Sequence, residues 1–195
     1  LPFSIFKAEK KTKFFVLEMG ASKNGDIQEL TSIVNPKIVA LLNVSPAHLD
    51  SFKTLENIIK TKEEILENNG YEKISILNID DVNYKRWRTK SKNNTIKTIS
   101  QNQYADYYLH NKTDNNLLIK TYKGDELNIN NNKLEKHEIY NILFSIACSM
   151  EAGATSCDVV EGLRNTINIK GRFFKINGYN GSNIIDSTYN AHPES

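Results

Sequence analysis

Short apolar runs alternating with amphipathic stretches limit what this chain can fold into more than any other feature. Residues 38–42 (IVALL) and 74–79 (ISILNI) are uncharged and rich in Ile, Leu and Val. They are too short for helices and read as strands buried on both faces. Between them, LENIIKTKEEIL puts Leu55, Ile58, Ile59, Ile65 and Leu66 on one side of a helix, with Thr54 as its N-cap and Asn69-Gly70 as its end. Upstream, residues 14–17 (FFVL) predict a further buried strand. A helix then opens at Gly25-Asp26, with Asp26 as N-cap, Ile27, Leu30 and Val34 inward and Asn35-Pro36 as the stop. Strand, helix, strand, helix, strand at this spacing predicts βαβ units. The expected fold class is α/β, a mostly parallel sheet flanked by helices.

The middle of the chain changes character. Residues 93–132 are polar, Asn-rich and weakly alternating, and TIKTIS, ADYYLH, NLLIKTY and ELNI predict a small antiparallel β region. Lys123-Gly124-Asp125 supplies one of its turns. Residues 136–151 predict a helix with Ile139, Ile142, Leu143, Ile146 and Ala147 inward, closed by Gly153. A second helix is expected over 157–165, with Val159, Val160 and Leu163 inward. Residues 172–185 hold two strand-like runs around a Gly/Asn turn at 178–181.

A formal net charge of +2 gives no electrostatic footprint for nucleic acid. No apolar run reaches the length of a membrane span, so membrane insertion is not expected. The first residues, LPFSIFKAEKKTK, lack the basic-then-apolar order of a secretory signal. Cys148 and Cys157 have no metal-binding spacing and read as reduced core thiols of a cytoplasmic protein.

Ligands of open α/β sheets bind beyond the carboxyl ends of the strands. That edge would receive Glu18 from the first strand, Asn43, His48 and Asp50 from the second, and Asn78, Asp80 and Asp81 from the third. Carboxylates and an imidazole there could hold Mg²⁺ or Mn²⁺. Each residue also has a plainer reading. Glu18 could be a surface carboxylate. His48 could cap the helix that follows it. Lys62, among Lys60, Glu63 and Glu64, could lie on a solvated face with i,i+4 pairing. Asp80 and Asp81 could merely end a strand. Nothing in the sequence matches the phosphate loop G-x-x-x-x-G-K-[ST].

Several segments in order carry a resemblance. LEMGASKNGDIQELTSIVNPKIVALLNVSPAHLDSF, IIKTKEEIL, ILNIDD, GRFF and IIDSTYNAHPES together resemble the central ATPase domain of the Mur ligases. Tyr189-Asn190-Ala191 is similar to the branch that adds D-alanyl-D-alanine. The likeness is good over residues 13–80, weak over 85–135, and resumes from His137. It implies an ATP-dependent amide ligase of peptidoglycan precursor synthesis, with ATP and Mg²⁺ as cofactors and a UDP-MurNAc-peptide and D-Ala-D-Ala as substrates. Alternatives are another amino-acid ligase of the same superfamily, or a non-catalytic nucleotide-binding or scaffold relative.

By the same resemblance, Glu18 matches the acid at a first Mg²⁺ and His48 the imidazole at a second. Lys62 matches a lysine carbamylated in many members, and Asn43 an asparagine just ahead of the histidine. His137 and Asn141 match a helix start near the adenine, and Arg172 an arginine at the nucleotide phosphates. Asp186, Tyr189 and Asn190 match the segment leading to the C-terminal domain. Residues 1–185 then correspond to a partial central domain without its phosphate loop, and 186–195 to the beginning of a linker. The isolated chain is expected to be inactive. Glu138, Ser187 and His192 depart from the family pattern, at the adenosine end of the site.

Overall fold

The computed structural model describes residues 2–44, 52–67, 70–130, 134–165, 169–172 and 174–189. After a short helix α1 (Pro2–Phe6), the main elements follow in order. They are α2 (Asp26–Val34), β1 (Ile38–Leu41), α3 (Leu55–Glu63) running into a 3₁₀ turn (Glu64–Leu66), β2 (Ile74–Asn78), α4 (Tyr84–Lys90) and β3 (Thr95–Ser100). Next come β4 (Tyr107–Lys112), β5 (Asn116–Thr121), β6 (Glu126–Asn130), α5 (Lys136–Glu151), α6 (Ser156–Arg164) and a hairpin of β7 (Phe174–Asn177) and β8 (Asn183–Asp186).

One six-stranded sheet in the order β1-β2-β3-β4-β5-β6 organises the domain. The pairs β1/β2, β2/β3 and β3/β4 are parallel, with Ile38 opposite Ile74 and Ile74 opposite Thr95. The pairs β4/β5 and β5/β6 are antiparallel. A mostly parallel sheet was expected, and it is present. The polar middle does form strands, but TIKTIS and ADYYLH extend the parallel sheet instead of starting a separate antiparallel unit. Within this sheet only the two hairpins after β4 reverse direction, β4/β5 at residues 113–116 and β5/β6 through a turn at Gly124 with φ 89°. A positive φ there suits glycine.

Strand period explains the two cores. On β2, Ile76 and Leu77 are both fully buried but belong to opposite faces. Ile76 joins Ile99, Tyr107, Ile119 and Leu127 under Ile139, Leu143, Ile146 and Ala147 of α5 and Val159 of α6. Leu77 joins Val39, Leu41, Leu66 and Trp87 on the other face, beneath the α3 turn and α4. The antiparallel wing alternates buried and half-buried residues along β5, as a sheet covered on one face does.

Several expectations need correction, Cys157 below among them. Residues 14–17 form no strand. They carry no regular secondary structure, with Phe14 66% and Val16 96% exposed. An apolar run becomes a strand only where a neighbour completes its hydrogen-bond ladder. None does so among the described residues, where β1 is the sheet edge. Asp26 is the first residue of α2, not its N-cap, which is Gly25 at φ 91°. Leu55 is 43% exposed and does not share the buried face of Ile58 and Ile59. Helix α4 was not foreseen, because Trp87 is the one buried residue in YKRWRTK and sets no period.

Other readings agree with the fold. The Thr54 side chain accepts from the Asn57 N–H at 3.2 Å and starts α3. Gly153, at φ 100°, closes α5. Cys148 is half-buried, and burial pushes its thiol up to about 11, whereas Cys157 is exposed, against expectation. It stands in the first turn of α6, whose inward position is Val159.

Candidate functional site

The carboxyl ends of β1, β2 and β3 form the edge where the candidate residues collect. At the end of β1, Asn43 is exposed and its carbonyl accepts a hydrogen bond from Lys62 Nζ at 3.4 Å. Lys62 follows Ile58 by four residues and Ile59 by three, so it shares their side of α3. Burial pulls its ammonium below the usual lysine range. It is therefore not part of a solvated cationic face. Lys60, 3.8 Å from Glu56 and exposed, is.

The neighbouring acids are not surface charges either. Glu63 is buried and grips Arg86 through Nε at 2.6 Å and Nη2 at 2.8 Å. Arg86 Nη1 also reaches both Glu56 oxygens, at 2.8 and 2.9 Å. Glu63, followed by the bond to Glu56, raises the Arg86 pKa above the ordinary arginine value. This fork ties α3 to α4. Glu64 points the other way and accepts from the backbone N–H of Gly25 at 2.7 Å and of Gln28 at 3.0 Å. Glu18 is exposed in irregular chain just before this loop.

At the end of β2, Asp80 gathers the sheet edge. Its carboxylate accepts from Ser100 Oγ at 2.8 Å, the Gln101 N–H at 2.8 Å and the Tyr140 hydroxyl at 3.0 Å. Burial alone would raise its pKa, but the bonds from Gln101, Ser100, Tyr140 and Gln103 prevail and hold it below the usual carboxylate range. Burial, then the bond to Asp80, pushes Tyr140 up to about 12. Asp80 thus fastens α5 to the ends of β2 and β3. His137 and Asn141 are exposed on the first turns of α5, one helical turn apart. Glu138 accepts the Glu135 N–H at 2.8 Å and so caps α5. A cleft lined by Ile79, Tyr84, Thr98, Tyr104 and Asp106 opens at the same edge.

The C-terminal segment forms its own knot. The Gly171 N–H donates to Asp186 Oδ2 at 3.2 Å, and Thr188 Oγ1 and N–H donate to Oδ1 at 2.7 and 3.1 Å. Thr188 is the main cause of the lowered Asp186 pKa. The Tyr189 N–H bonds the Gly171 carbonyl at 3.0 Å, and the Arg172 guanidinium lies 4.2 Å from the Tyr189 ring centroid.

The structure therefore joins Lys62 with Asn43, places His137 and Asn141 on one helix, and joins Asp186 with the Gly171-Arg172 turn. His48, Asp50, Asn190, Ala191 and His192 lie outside the described residues. Among the described residues, no three His, Cys, Asp or Glu side chains form a group that could hold a metal ion. The roles of Asp80, Glu63 and Glu64 were missed. For Glu63 a signal existed, since it follows Ile59 by four residues and needs a cation such as Arg86. For Glu64 none did, because its partners are backbone groups.

Parallel strands with polar side chains at their carboxyl ends define an α/β domain of the kind whose ligands bind at that edge. The particular family follows from comparison: the chain belongs to the Mur ligase middle domain family, whose model matches residues 1–149. It is 28% identical to the UDP-N-acetylmuramoyl-tripeptide--D-alanyl-D-alanine ligase of Haemophilus influenzae, over 100% of this chain and 43% of that protein. A crystal structure of MurF from Acinetobacter baumannii is similar with a TM-score of 0.90 at 25% identity, over 99% of this chain and 43% of that one. MurF from Thermotoga maritima in complex with ADP gives 0.78 at 26% identity, over 99% of this chain and 45% of that one. The chain thus spans less than half the length of these relatives. Among the described residues, no helix is long and apolar enough to cross a membrane.

Proposed function

We propose that this chain is the central part of a cytoplasmic, ATP-dependent ligase that joins D-alanyl-D-alanine to a UDP-MurNAc-peptide in peptidoglycan precursor synthesis. The observation that carries the reading is Lys62 Nζ bonded to the Asn43 carbonyl at the end of β1, in a chain similar along its whole length to ligases of that name.

In such a reaction a substrate carboxylate oxygen attacks the γ-phosphorus of ATP. The bond from that phosphorus to the β–γ bridging oxygen breaks, and ADP leaves. The amine of D-alanyl-D-alanine then attacks the acyl carbon, loses a proton to solvent and expels phosphate, leaving an amide. Catalysis of phosphoryl transfer is mainly positioning and charge neutralisation. Arg172 is the residue for the phosphates, and His137 and Asn141 are those for the adenine side. Asp186 holds the turn that carries Arg172.

Glu18, His48 and Lys62 are the residues for Mg²⁺, and Asn43 is a cofactor-binding residue beside Lys62. When bound, Mg²⁺ neutralises phosphate oxygens. The donor set fits on one condition. Glu18 offers oxygen, as Mg²⁺ prefers, but an ammonium at Lys62 repels a cation. A lysine whose pKa is lowered by burial has more neutral amine to react with CO₂. That addition forms an N–C bond, releases a proton and leaves a carbamate, so Lys62 becomes an anionic oxygen donor.

The test is phosphate release by the gene's full-length product. Release that needs ATP, UDP-MurNAc-tripeptide and D-Ala-D-Ala together is expected. Release that is indifferent to D-Ala-D-Ala, or supported equally by a single amino acid, overturns the assignment.

A further inference from the structure

Glu64 stands two residues after Lys62 and takes no part in the roles assigned above, yet both its carboxylate oxygens are engaged by remote backbone. Its two carboxylate oxygens divide between two backbone donors at the start of α2. Oε1 accepts from Gly25 at 2.7 Å and Oε2 from Gln28 at 3.0 Å. Backbone N–H groups in the first turn of a helix have no partner within it, and a carboxylate there is favoured by both hydrogen bonding and the helix dipole. The carboxylate comes from an element 36 or more residues away in sequence, so it fixes tertiary position and not only the helix end.

A second contact runs beside it. Thr61 Oγ1, just before Lys62, donates to Asn24 Oδ1 at 2.5 Å. The loop these contacts grip is itself closed, because Asp26 Oδ2 accepts from the N–H groups of Ser22 at 2.8 Å and Lys23 at 3.0 Å. Residues 22–28 therefore sit as one piece against the Lys62 end of α3. Glu18 enters this piece from four residues upstream. Lys62 itself reaches the end of β1. Positions 61, 62 and 64 thus connect the two segments that bear Glu18 and Asn43.

We infer that Glu64 is a positioning residue of the ligase: with Thr61, it sets the separation of Glu18 and Lys62 by clamping the loop before α2 onto the end of α3. The inference rests on the reading of Glu18 and Lys62 as Mg²⁺ residues. Groups that orient metal ligands govern affinity nearly as strongly as the ligands do. Glu64→Gln keeps the size of the side chain but presents an NH₂ to one of the two N–H donors, so it loosens the clamp without opening a cavity.

The experiment compares the full-length wild type, Glu64→Gln, Thr61→Val and Lys62→Met. Mn²⁺ affinity is measured by electron paramagnetic resonance with ADP present. The carbamate resonance is followed by ¹³C NMR under ¹³CO₂ with Mg²⁺, and thermal midpoints are recorded alongside. Lys62→Met is expected to lose the carbamate resonance and to weaken Mn²⁺ binding. Glu64→Gln is expected to weaken Mn²⁺ binding by about 10- to 100-fold and to reduce the carbamate resonance, with Thr61→Val in the same direction. A Glu64→Gln protein with a lowered midpoint but wild-type Mn²⁺ affinity would show a purely structural role and overturn the inference alone. Wild-type affinity and an unchanged carbamate region in Lys62→Met would overturn the underlying reading of the site.

Discussion

Removing the Asp80 carboxylate should cost stability in an amount the hydrogen bonds around it set. Asp80→Ala removes the acceptor of three short hydrogen bonds, from Ser100 Oγ, the Gln101 N–H and the Tyr140 hydroxyl, and of a longer one from Gln103 Nε2 at 3.4 Å. Ser100 is fully buried, so water cannot replace the carboxylate there. A hydrogen bond to a charged group contributes roughly 1.5–3 kcal/mol, but three bonds to one carboxylate are coupled and do not add in full. A loss of about 3–4 kcal/mol follows. Asp80→Asn keeps one acceptor oxygen and should lose about 1–2 kcal/mol.

The pH dependence of this effect has a definite sign. The folded-state pKa of Asp80 is lowered. Its contribution is therefore fully present above the ordinary aspartate pKa and is lost as pH falls through the lowered one. The gap between wild type and Asp80→Asn should close in acid, where the wild-type side chain is also neutral. Trp87 is the chain's single tryptophan and is fully buried, so its fluorescence reports urea unfolding directly. An Asp80→Ala protein within about 0.5 kcal/mol of wild type would refute the reasoning, as would a wild-type–Asn gap that stays the same in acid.

Other perturbations have equally definite outcomes. Arg86→Met strands the buried Glu63 carboxylate. Because Arg86 is itself 33% exposed, we expect a loss of about 2–3 kcal/mol in urea unfolding, restored in part by adding Glu63→Gln. Gly171→Ala puts a Cβ at φ 81° and 3.3 Å from the Tyr189 backbone N and Cβ. It should cost about 1–2 kcal/mol and raise KM for ATP in the full-length product by releasing the Arg172 turn. Tyr107→Phe removes a 2.6 Å bond to Glu151, which also lies 3.8 Å from the Lys97 ammonium. A decrease of about 1–2 kcal/mol, with no change in ligation kinetics, is expected.

The elements with a clear period were readable from the residues. IVALL, ISILNI and the 136–151 helix appear where expected, because each has a face that only one layer can bury. Residues 14–17 looked like a strand by the same logic, but apolarity does not supply a ladder partner. Helix α4 was hidden because Trp87 does alone what several periodic residues do elsewhere. The parallel pairing of β3 and β4 is confined to Ile99 with Tyr107 and Ser100 with Tyr108, where β4 starts beside the end of β3 after a six-residue loop, and polar alternation does not encode that direction.

The site was legible in part. The spacing of Lys62 from Ile58 and Ile59 put it on the apolar side of α3, and its crowd of charged neighbours obscured that. Asp80 looked like a strand-ending turn residue, since Ser100, Gln101 and Tyr140 reach it from distant sequence. Contacts between a side chain and a remote backbone, such as Glu64 with Gly25, leave no mark in residue pattern.

The most direct measurement follows oxygen. The full-length product is given ATP, D-Ala-D-Ala and a UDP-MurNAc-peptide whose reacting carboxylate carries ¹⁸O in both oxygens. If that carboxylate attacks the γ-phosphorus, one labelled oxygen leaves with each phosphate released, and the amide keeps the other. The account predicts one ¹⁸O per phosphate, dependent on all three substrates. Phosphate that carries only unlabelled oxygen would contradict it.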